Sequence, residues 1–296
     1  MLKPRISVVV VSYNTAEKLC RCLSCLADQH EIIVVDNASV DGSADRVATE
    51  YPHVNLVRSD VNLGFGAANN RGAALATGDF ILFLNSDAYA DPGAIDLLAR
   101  EFGPGVSALG GRLLNPDRSL QSSTANRLTL WAVFCEQSLL EKLAPNTFLS
   151  PYWTTQKWAD SRSPVETAQV MGACLMVRNP SPERWDERYF LYCEDTDLCL
   201  RLSRHGRILY VPEATFVHDL GSSSLRNRWL AVARYNRGKE TYFRIHHGAL
   251  ASTACWLLNR LGALLRLAIW TLLIPLRGPD QAQLFLRVLF ARGDLR

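Results

Sequence analysis

The fold of this chain is limited most strongly by a short run of apolar, β-forming residues that stops abruptly at polar ones. Residues 80–84 (FILFL) are followed directly by Asn85, Ser86 and Asp87. A continuous apolar run of this length predicts a strand that is buried on both faces, as in a sheet covered by helices. Ligands of open α/β sheets bind beyond the carboxyl ends of the strands. The position of Asp87 therefore predicts a site at this edge of the sheet.

Asp87 has two interpretations. A carboxylate beside a second side-chain oxygen can hold a hard cation such as Mg²⁺ or Mn²⁺, which in turn holds phosphate oxygens. An aspartate that follows a strand is also common as a helix cap or a turn residue. The choice between them depends on what the rest of the chain brings to the same edge.

Three further runs of strand length precede this one. Residues 6–12 (ISVVVVS), 31–36 (EIIVVD) and 55–58 (NLVR) alternate with segments of helical character. This alternation predicts an α/β fold with a mainly parallel nucleotide-binding sheet flanked by helices. The second run ends in Asp36, which can accept hydrogen bonds from a base N–H or a ribose hydroxyl. The alternative for Asp36 is a cap for the turn that follows.

A glycine-rich segment, residues 62–71 (NLGFGAANNR), separates the third and fourth runs. Parallel strand order brings it to the same edge as Asp36 and Asp87. Because glycine lets the backbone approach a phosphate closely, this segment is predicted to lie along a nucleotide. The G-x-G-x-x-G spacing of NAD-binding loops fails at Asn69, which disfavours NAD.

An aromatic and apolar stretch, residues 189–193 (YFLYC), leads into a group of carboxylates. Asp195 and Asp197 fall in the first turn of a predicted short helix, and Asp197 with Arg201 forms an i, i+4 pair that explains Asp197 structurally. The adjacent Glu194 and Asp195 are not explained in this way. Crowded carboxylates near apolar surface have raised pKa values, which suits a general base.

His218 ends another apolar run and precedes a Gly-Ser segment, residues 221–224. A lone histidine is more often structural than ligating. In this setting, however, His218 is a candidate metal ligand, and the Gly-Ser segment can offer hydrogen bonds to phosphate.

Taken together, these segments resemble the inverting family 2 glycosyltransferases with the GT-A fold, and within them the rhamnosyltransferase-like group. The matching pieces follow the family's order over residues 6–224: VVVVSYN, IIVVDNASVDGS, NLGFGAANNRG, GDFILFLNSDA, YFLYCEDTDLCLR and VHDLGSSS. The resemblance implies transfer of a sugar, with rhamnose favoured, to a hydroxyl of a lipid-linked or polysaccharide acceptor in cell-envelope glycan synthesis. The implied donor is dTDP-rhamnose, with a UDP-sugar as the alternative, and the implied cofactor is Mg²⁺ or Mn²⁺.

The same resemblance assigns roles to individual residues. Asp195 would be the base, with Glu194 beside it in the catalytic set, and Asp87 and His218 would hold the metal. Asn85 stands where the family's D-x-D motif has its first aspartate, which leaves fewer negative charges on the metal. The nucleotide-binding set comprises Ser12, Tyr13, Asn14, Asp36, Asn62, Gly64, Gly66, Asn69, Arg71 and Ser86.

The chain divides into an acidic body and a basic tail. Residues 1–225 hold 20 Lys and Arg against 26 Asp and Glu, whereas residues 226–296 hold 12 against 3. We predict a GT-A catalytic domain over the first range, with a nucleotide-sugar-binding half (1–113) and an acceptor or catalytic half (114–225), followed by a helical tail. A basic tail rich in Leu and Trp favours an anionic membrane surface over nucleic acid.

The apolar part of this tail, residues 249–276, is interrupted by Arg260 and Arg266. None of the three uncharged pieces reaches the roughly 20 residues that a membrane-spanning helix needs. The tail is therefore predicted to be an amphipathic helix in the plane of the membrane, or else to pack on the catalytic domain or in a homodimer interface. Without a signal peptide pattern at residues 1–5, the expected location is peripheral, on the cytoplasmic face of the cell membrane.

Two other functions fit parts of the pattern. A sugar-phosphate nucleotidyltransferase shares the nucleotide-binding edge, but it needs a glycine-rich loop with Arg or Lys after the first strand, and residues 12–15 provide none. A non-catalytic nucleotide-sugar-binding scaffold at the membrane is the other alternative. The presence of Glu194 and Asp195 argues against it.

Overall fold

The structure is a computed structural model, and it describes residues 3–26, 29–145, 147–220, 227–291 and 295. The Gly-Ser segment that follows His218 in the sequence lies outside the described residues. The description of the fold below refers to the described residues only.

The chain forms two compact units. The first comprises residues 1–127, 153–190 and 194–223. The second comprises residues 128–152, 191–193 and 224–296. The second unit thus joins the tail to two segments that the sequence groups with the catalytic domain, and the predicted domain boundary near residue 225 stays a prediction.

A nine-stranded sheet forms the centre of the first unit, and β7 and β9 form a second sheet of two strands. The strands are β1 (Ile6–Ser12), β2 (Glu31–Asp36), β3 (Asn55–Arg58), β4 (Phe80–Asn85), β5 (Ala88–Ala90), β6 (Val106–Leu114), β7 (Thr124–Ala125), β8 (Val165–Thr167), β9 (Gln169–Val170), β10 (Cys174–Arg178) and β11 (Arg207–His218). Eight strands of the large sheet follow the order β3-β2-β1-β4-β10-β6-β11-β5, and β8 pairs with β11. Within the described residues, β5, β8 and β10 run against the other strands of this sheet. The predicted mostly parallel α/β fold is confirmed.

Helices cover both faces of this sheet. Those of the first unit are α1 (Ala16–Ser24), α2 (Ser43–Glu50), α3 (Phe65–Ala73), α4 (Ala94–Arg100) and α7 (Glu194–Leu202). Side chains of β1 alternate between two cores: Val8 and Val10 pack in one and Val9 packs in the other. Burial on both faces explains why the strands are continuously apolar in the sequence.

Two parts of the sheet are irregular. The apolar sequence at residues 169–178 (QVMGACLMVR) forms two strands, β9 and β10, with a break that contains Gly172, whose N–H donates to Asp195 Oδ2 at 3.0 Å. Strand β11 continues past residue 211 through a register shift and reaches His218. Both irregularities place polar groups at the carboxyl edge of the sheet.

The second unit is helical. It contains α5 (Leu130–Gln137), α6 (Leu140–Leu143), α8 (Arg228–Leu272), α9 (Ile274–Arg277) and α10 (Asp280–Phe290). Helix α8 is broken at Gly248, where φ is 86°. Glycine adopts this left-handed conformation without steric cost, so α8 consists of two helical segments joined by a sharp break.

Candidate active site

The carboxyl ends of β1, β2 and β4 meet at one edge of the sheet. In the strand register, Ser12 lies opposite Asp36, and Val11 lies opposite Asn85. The strand-end residues that the sequence singled out are therefore close neighbours in the first unit.

Asp36 is 4% exposed, and its two carboxylate oxygens differ. Oδ2 accepts a hydrogen bond from the Ser39 N–H at 3.1 Å, which is the turn-capping role considered above. Oδ1 is buried and has no hydrogen-bond partner within the described residues. Because a buried carboxylate oxygen without a donor is costly, Oδ1 is suited to accept a hydrogen bond from a ligand. Both roles are thus compatible with one side chain.

A chain of buried hydroxyl groups links two strand ends. Ser12 Oγ lies 3.0 Å from Thr15 Oγ1, which lies 2.9 Å from Ser86 Oγ. The sequence analysis did not single out Thr15. The Thr15 hydroxyl fixes the side chain of Ser86, which directly precedes Asp87. The candidate metal ligand Asp87 therefore follows a residue whose side chain is held by hydrogen bonds.

The loops after β1 and β2 are held together by Asn14. Its N–H donates to Ser39 Oγ at 2.9 Å, and its Oδ1 accepts from the Val40 N–H at 2.8 Å. Asn14 has a φ of 54°, a left-handed conformation that asparagine tolerates. The neighbouring Tyr13 is 43% exposed, so its ring is accessible at this edge.

Asn37 is a site residue that the sequence analysis missed. Its Nδ2 donates to Asn62 Oδ1 at 2.9 Å and to the Gly64 carbonyl at 3.1 Å, and its Oδ1 accepts from the Leu63 N–H at 2.8 Å. These bonds tie the glycine-rich segment to the end of β2. The sequence feature that could have pointed to Asn37 is its position directly after Asp36 at the end of a strand.

Gly64 and Gly66 allow close packing of the chain. A Cβ at Gly64, where φ is +83°, would lie 2.3 Å from the Phe190 carbonyl oxygen, and one at Gly66 would lie 3.1 Å from Trp185 Cβ. The glycines thus bring α3 against the segment that leads to Glu194. This packing explains both glycines, and contact of their backbone with a nucleotide stays a prediction.

Two polar side chains of α3 have different surroundings. Asn69 is 1% exposed, and its Nδ2 donates to the Phe65 carbonyl at 3.1 Å within the helix. Arg71 is exposed, and its Nη1 donates to Ser59 Oγ at 3.0 Å. Since the Ser59 N–H donates to the Asp36 carbonyl, Arg71 places a positive charge near the end of β2.

Asp87 and His218 approach each other at the carboxyl ends of β4 and β11. Asp87 Oδ1 lies 3.2 Å from His218 Nε2. Asn85 Nδ2 also lies 3.2 Å from this nitrogen, and Asn85 Oδ1 is buried with no hydrogen-bond partner in the described structure. The site therefore combines an imidazole nitrogen, a carboxylate and an amide oxygen that lacks a donor.

Gln121, which the sequence analysis also missed, determines which His218 nitrogen carries the proton. Gln121 Nε2 donates to the His218 carbonyl and to Asn115 Oδ1, both at 2.9 Å. This orients Gln121 Oε1 toward His218 Nδ1, at 2.7 Å. Because an amide oxygen only accepts, Nδ1 carries a hydrogen, and Nε2 is the ring nitrogen that faces Asp87.

These groups fit a divalent cation. Two ligand atoms 3.2 Å apart can share one ion with bonds of about 2.1 Å, and oxygen with imidazole nitrogen suits Mn²⁺ or Mg²⁺. Among the described residues there is no group of three or more His, Cys, Asp or Glu side chains that could hold a metal. Asp87 and His218 would thus be two protein ligands of a site that leaves positions for a substrate.

Asp195 is held by two backbone N–H groups. Gly172 donates to Oδ2 at 3.0 Å and Thr196 donates to Oδ1 at 2.8 Å. Burial raises the pKa of Asp195 above its ordinary value, and these hydrogen bonds offset only part of that effect. The result is an oriented carboxylate with increased affinity for a proton.

The neighbouring carboxylates are less accessible than Asp195. Asp197 is fully buried, and its Oδ2 accepts from Arg201 Nε at 2.8 Å, as the i, i+4 spacing predicts. Glu194 is 5% exposed and lies beside Gly66. Asp195 is half-buried, so it is the carboxylate of these three that a substrate can reach best.

Comparison with known proteins finds glycosyltransferases among the relatives of this chain. A relative from Mycobacterium tuberculosis, named N-acetylglucosaminyl-diphospho-decaprenol L-rhamnosyltransferase, is 29% identical over 268 residues, which cover 81% of this chain and 84% of the relative. The mannosyltransferase PcManGT from Pyrobaculum calidifontis, solved with GDP-Man and Mn²⁺, matches with a TM-score of 0.56 and 17% identity over 97% of this chain and 74% of that one. The structure of S. aureus TarS 1–349 with UDP-GlcNAc matches with a TM-score of 0.50 and 17% identity. The match covers 96% of this chain and 81% of the TarS chain.

At these identities the solved structures show the fold alone, which is that of the GT-A glycosyltransferases. The sequence evidence goes further. The model of the family described as Glycosyl transferase family 2 matches residues 7–154, half of the chain, and the match includes Asp36 and Asp87. This chain belongs to glycosyltransferase family 2.

Proposed function

We propose that this protein is an inverting, metal-dependent glycosyltransferase that transfers a sugar, with rhamnose favoured, from a nucleotide-sugar to a hydroxyl of a lipid-linked acceptor. The observation that carries the proposal is the state of Asp195, a reachable carboxylate that is oriented by two N–H groups and whose pKa is raised by burial. Rhamnose and a polyprenyl diphosphate acceptor are supported by the name of the M. tuberculosis relative.

The donor is proposed to bind along the edge formed by β1, β2 and β4. Asp36 Oδ1 would accept a hydrogen bond from the base or the ribose, since it has no other partner in the described structure. Tyr13 and Arg71 are both exposed. Tyr13 would face the ring of the nucleobase, and Arg71 would face the diphosphate. We favour dTDP-rhamnose and keep a UDP-sugar as the alternative, because the related structures hold nucleotide-sugars with different bases.

Asp195 would accept the proton of the acceptor hydroxyl as that oxygen attacks the anomeric carbon. The bond to the nucleoside diphosphate breaks on the opposite side, and its electron pair leaves with the phosphate, so a single displacement inverts the configuration. A base with a raised pKa is better matched to this transfer near neutral pH than an ordinary carboxylate. Mg²⁺ or Mn²⁺ held by Asp87 and His218 would offset negative charge on the departing diphosphate.

A lipid-linked acceptor requires the enzyme to work at a membrane. We therefore propose that the protein is peripheral on the cytoplasmic face of the cell membrane. Its basic, Leu-rich tail supports this location, because such a composition suits anionic lipid.

The test is transfer from a panel of labelled nucleotide-sugars, led by dTDP-rhamnose, into a membrane lipid extract with and without Mn²⁺ or Mg²⁺. We expect metal-dependent label in the lipid fraction, loss of label with Asp87→Ala, and an inverted anomeric configuration in the product. Binding of nucleoside diphosphate without transfer from any donor would instead favour a nucleotide-sugar-binding scaffold. A retained configuration would refute the single-displacement mechanism.

A further inference from the structure

The segment of α8 that follows Gly248 exposes a row of uncharged side chains. The row consists of Leu250, Thr253, Leu257, Leu261, Leu264, Ala268 and Leu272, and we call it the apolar face of α8. Its members are three or four residues apart, so they lie on one side of the helix. Leu250 is 89% exposed and Leu272 is 81% exposed, which shows that the row stays open along its whole length.

The opposite side of this segment is buried, and it combines the polar residues Ser252 and Asn259 with the small residues Cys255, Gly262 and Ala263. Ser252 Oγ donates to the Glu240 carbonyl at 2.8 Å, and Asn259 Nδ2 donates to the Asn236 carbonyl at 3.2 Å. A helix on the surface of a water-soluble protein normally buries its apolar stripe and exposes its polar residues. This part of α8 instead exposes its leucines and buries polar and small residues, which is unfavourable in water and favourable against lipid.

Arg260 and Arg266 do not interrupt the apolar face, although they interrupt the apolar sequence. Arg260 donates to the carbonyl groups of Val288, Leu289 and Ala291 at 2.6 to 2.9 Å. These carbonyl groups belong to the last turn of α10 and the residue after it. The guanidinium group of Arg260 thus points into the second unit.

Arg266 makes the equivalent contacts at the end of α5. Its Nη1 donates to the Gln137 carbonyl at 2.8 Å and its Nη2 donates to the Glu136 carbonyl at 2.7 Å. The carboxyl end of a helix carries partial negative charge and unpaired carbonyl groups, so it is a good partner for a buried cation. The two arginines are therefore satisfied inside the protein and leave the exposed side without charge.

Positive charge borders the apolar face at both ends. Arg244 precedes it and Arg277 follows it, and both are exposed. The sequence contains no Asp or Glu between Glu240 and Asp280. A surface of this kind is complementary to a bilayer that contains anionic lipid, because the leucines enter the interface while the arginines meet the headgroups. A second copy of the chain would bring a surface of the same charge.

We propose that the apolar face of α8 lies in the interfacial region of an anionic membrane, with this helical segment in the membrane plane. The inference deepens the proposed function by naming the surface that brings the enzyme to its lipid-linked acceptor. Length and composition alone would also allow α8 to cross a membrane. Crossing would, however, place Arg260, Arg266 and Asn259 at hydrocarbon depth, which is costly.

The experiment measures flotation of the full chain with phosphatidylcholine vesicles that contain or lack phosphatidylglycerol. We expect the native protein to float with anionic vesicles. The double variant Leu257→Glu with Leu261→Glu should bind them at least about 10-fold more weakly, because it removes two apolar anchors and adds two negative charges. Leu75→Glu, at an exposed leucine of the first unit, is the matched control and should float like the native protein.

Binding of dTDP or UDP to each variant is measured in parallel, so that folding and donor binding are assessed without lipid. Unchanged flotation of the double variant would overturn the proposal. The proposal would also be overturned if the native protein were a dimer and the double variant a monomer that floats like the native protein. The apolar face of α8 would then bind a second copy of the chain. Native protein that resists alkaline extraction from membranes would show that α8 spans them. Absence of sugar transfer with normal flotation would refute the enzyme proposal alone.

Discussion

Gln121 binds His218 through both ends of its amide: Oε1 accepts from Nδ1 at 2.7 Å, and Nε2 donates to the carbonyl of the same histidine at 2.9 Å. This double contact fixes the ring orientation and the tautomer together. The nitrogen opposite, Nε2, is then directed to Asp87 Oδ1 and Asn85 Nδ2, each at 3.2 Å. Partners of this kind govern how well a histidine holds a metal.

We therefore expect Gln121→Leu to weaken Mn²⁺ binding by about 10-fold to 100-fold, the range typical for loss of such a partner. Electron paramagnetic resonance of free Mn²⁺ in titrations with the protein measures this directly, without sugar transfer. Gln156→Leu, at an exposed position, serves as the control and should bind Mn²⁺ normally. Equal Mn²⁺ affinity in the Gln121 variant would show that Gln121 only supports the fold.

The edge of the site was predictable from the sequence because each strand is a short apolar run with a polar end. Asp36 and Asp87 followed from that pattern and from the rule that ligands bind beyond the carboxyl ends of the strands, whereas Ser12 entered only through the family resemblance. Parallel pairing of β1 with β2 and β4 then placed them together. No side-chain geometry was needed for this step.

The groups that hold these residues were not predictable in the same way. Gln121 lies 97 positions from His218 in a region without a clear pattern, and Gly172 lies 23 positions from Asp195 in the middle of an apolar run. Only tertiary packing brings such pairs together. For the same reason the sequence could not show that Arg260 and Arg266 turn inward, because apolar residues occur on every side of that segment.

Replacement of Asp195 by asparagine should keep donor binding and reduce transfer by about 100-fold to 10,000-fold, the usual contribution of a general base. The native enzyme should lose kcat/KM as the pH falls through the raised pKa of Asp195, since the base acts only when deprotonated. The acid limb should therefore lie above the ordinary aspartate value of 3.8. Glu213→Gln, at an exposed carboxylate, is the control for loss of one negative charge. Comparable turnover by Asp195→Asn would exclude Asp195 as the base.

The same carboxylate should affect stability. A raised pKa means that the folded protein binds the proton of Asp195 more tightly than the unfolded chain, so this residue's contribution to the free energy of unfolding is greatest at low pH and declines as the pH rises through the folded pKa. Asp195→Asn removes that decline. Urea unfolding of both proteins at several pH values should show the variant gaining stability relative to the native protein as the pH rises toward 7. If the difference between the two free energies of unfolding stayed the same at every pH, the raised pKa of Asp195 would be contradicted.

Gly64 offers a test of the packing between α3 and the segment that precedes Glu194 and Asp195. A Cβ there would meet the Phe190 carbonyl oxygen at 2.3 Å, in addition to the strain of a φ of +83°. Gly248 has nearly the same backbone angles, φ 86° and ψ 179° against φ 83° and ψ 179° at Gly64, with nothing within 4 Å of a Cβ, so Gly248→Ala isolates the strain alone. We expect about 1 to 3 kcal/mol of destabilisation for Gly248→Ala and at least about 1 kcal/mol more for Gly64→Ala, because the contact with Phe190 is added to the same strain. Equal losses of stability in thermal or urea unfolding would show that the loop can move away from Phe190 without a cost in free energy.

Asp36 provides the sharpest test of the nucleotide-binding edge. Asp36→Asn can keep the bond from the Ser39 N–H through its amide oxygen, but it then presents an NH₂ group where Oδ1 now lacks a donor. Loss of a hydrogen bond to a charged acceptor should weaken nucleotide binding by about 10-fold to 100-fold. Calorimetry with dTDP, UDP and pyrophosphate separates the possible partners of Asp36. A contact to the base weakens dTDP and UDP alike and leaves pyrophosphate unchanged, whereas a contact to the ribose 2′-hydroxyl weakens UDP alone. Asp60→Asn, at an exposed position, is the control, and unchanged binding of all three ligands to Asp36→Asn would reduce Asp36 to a turn cap.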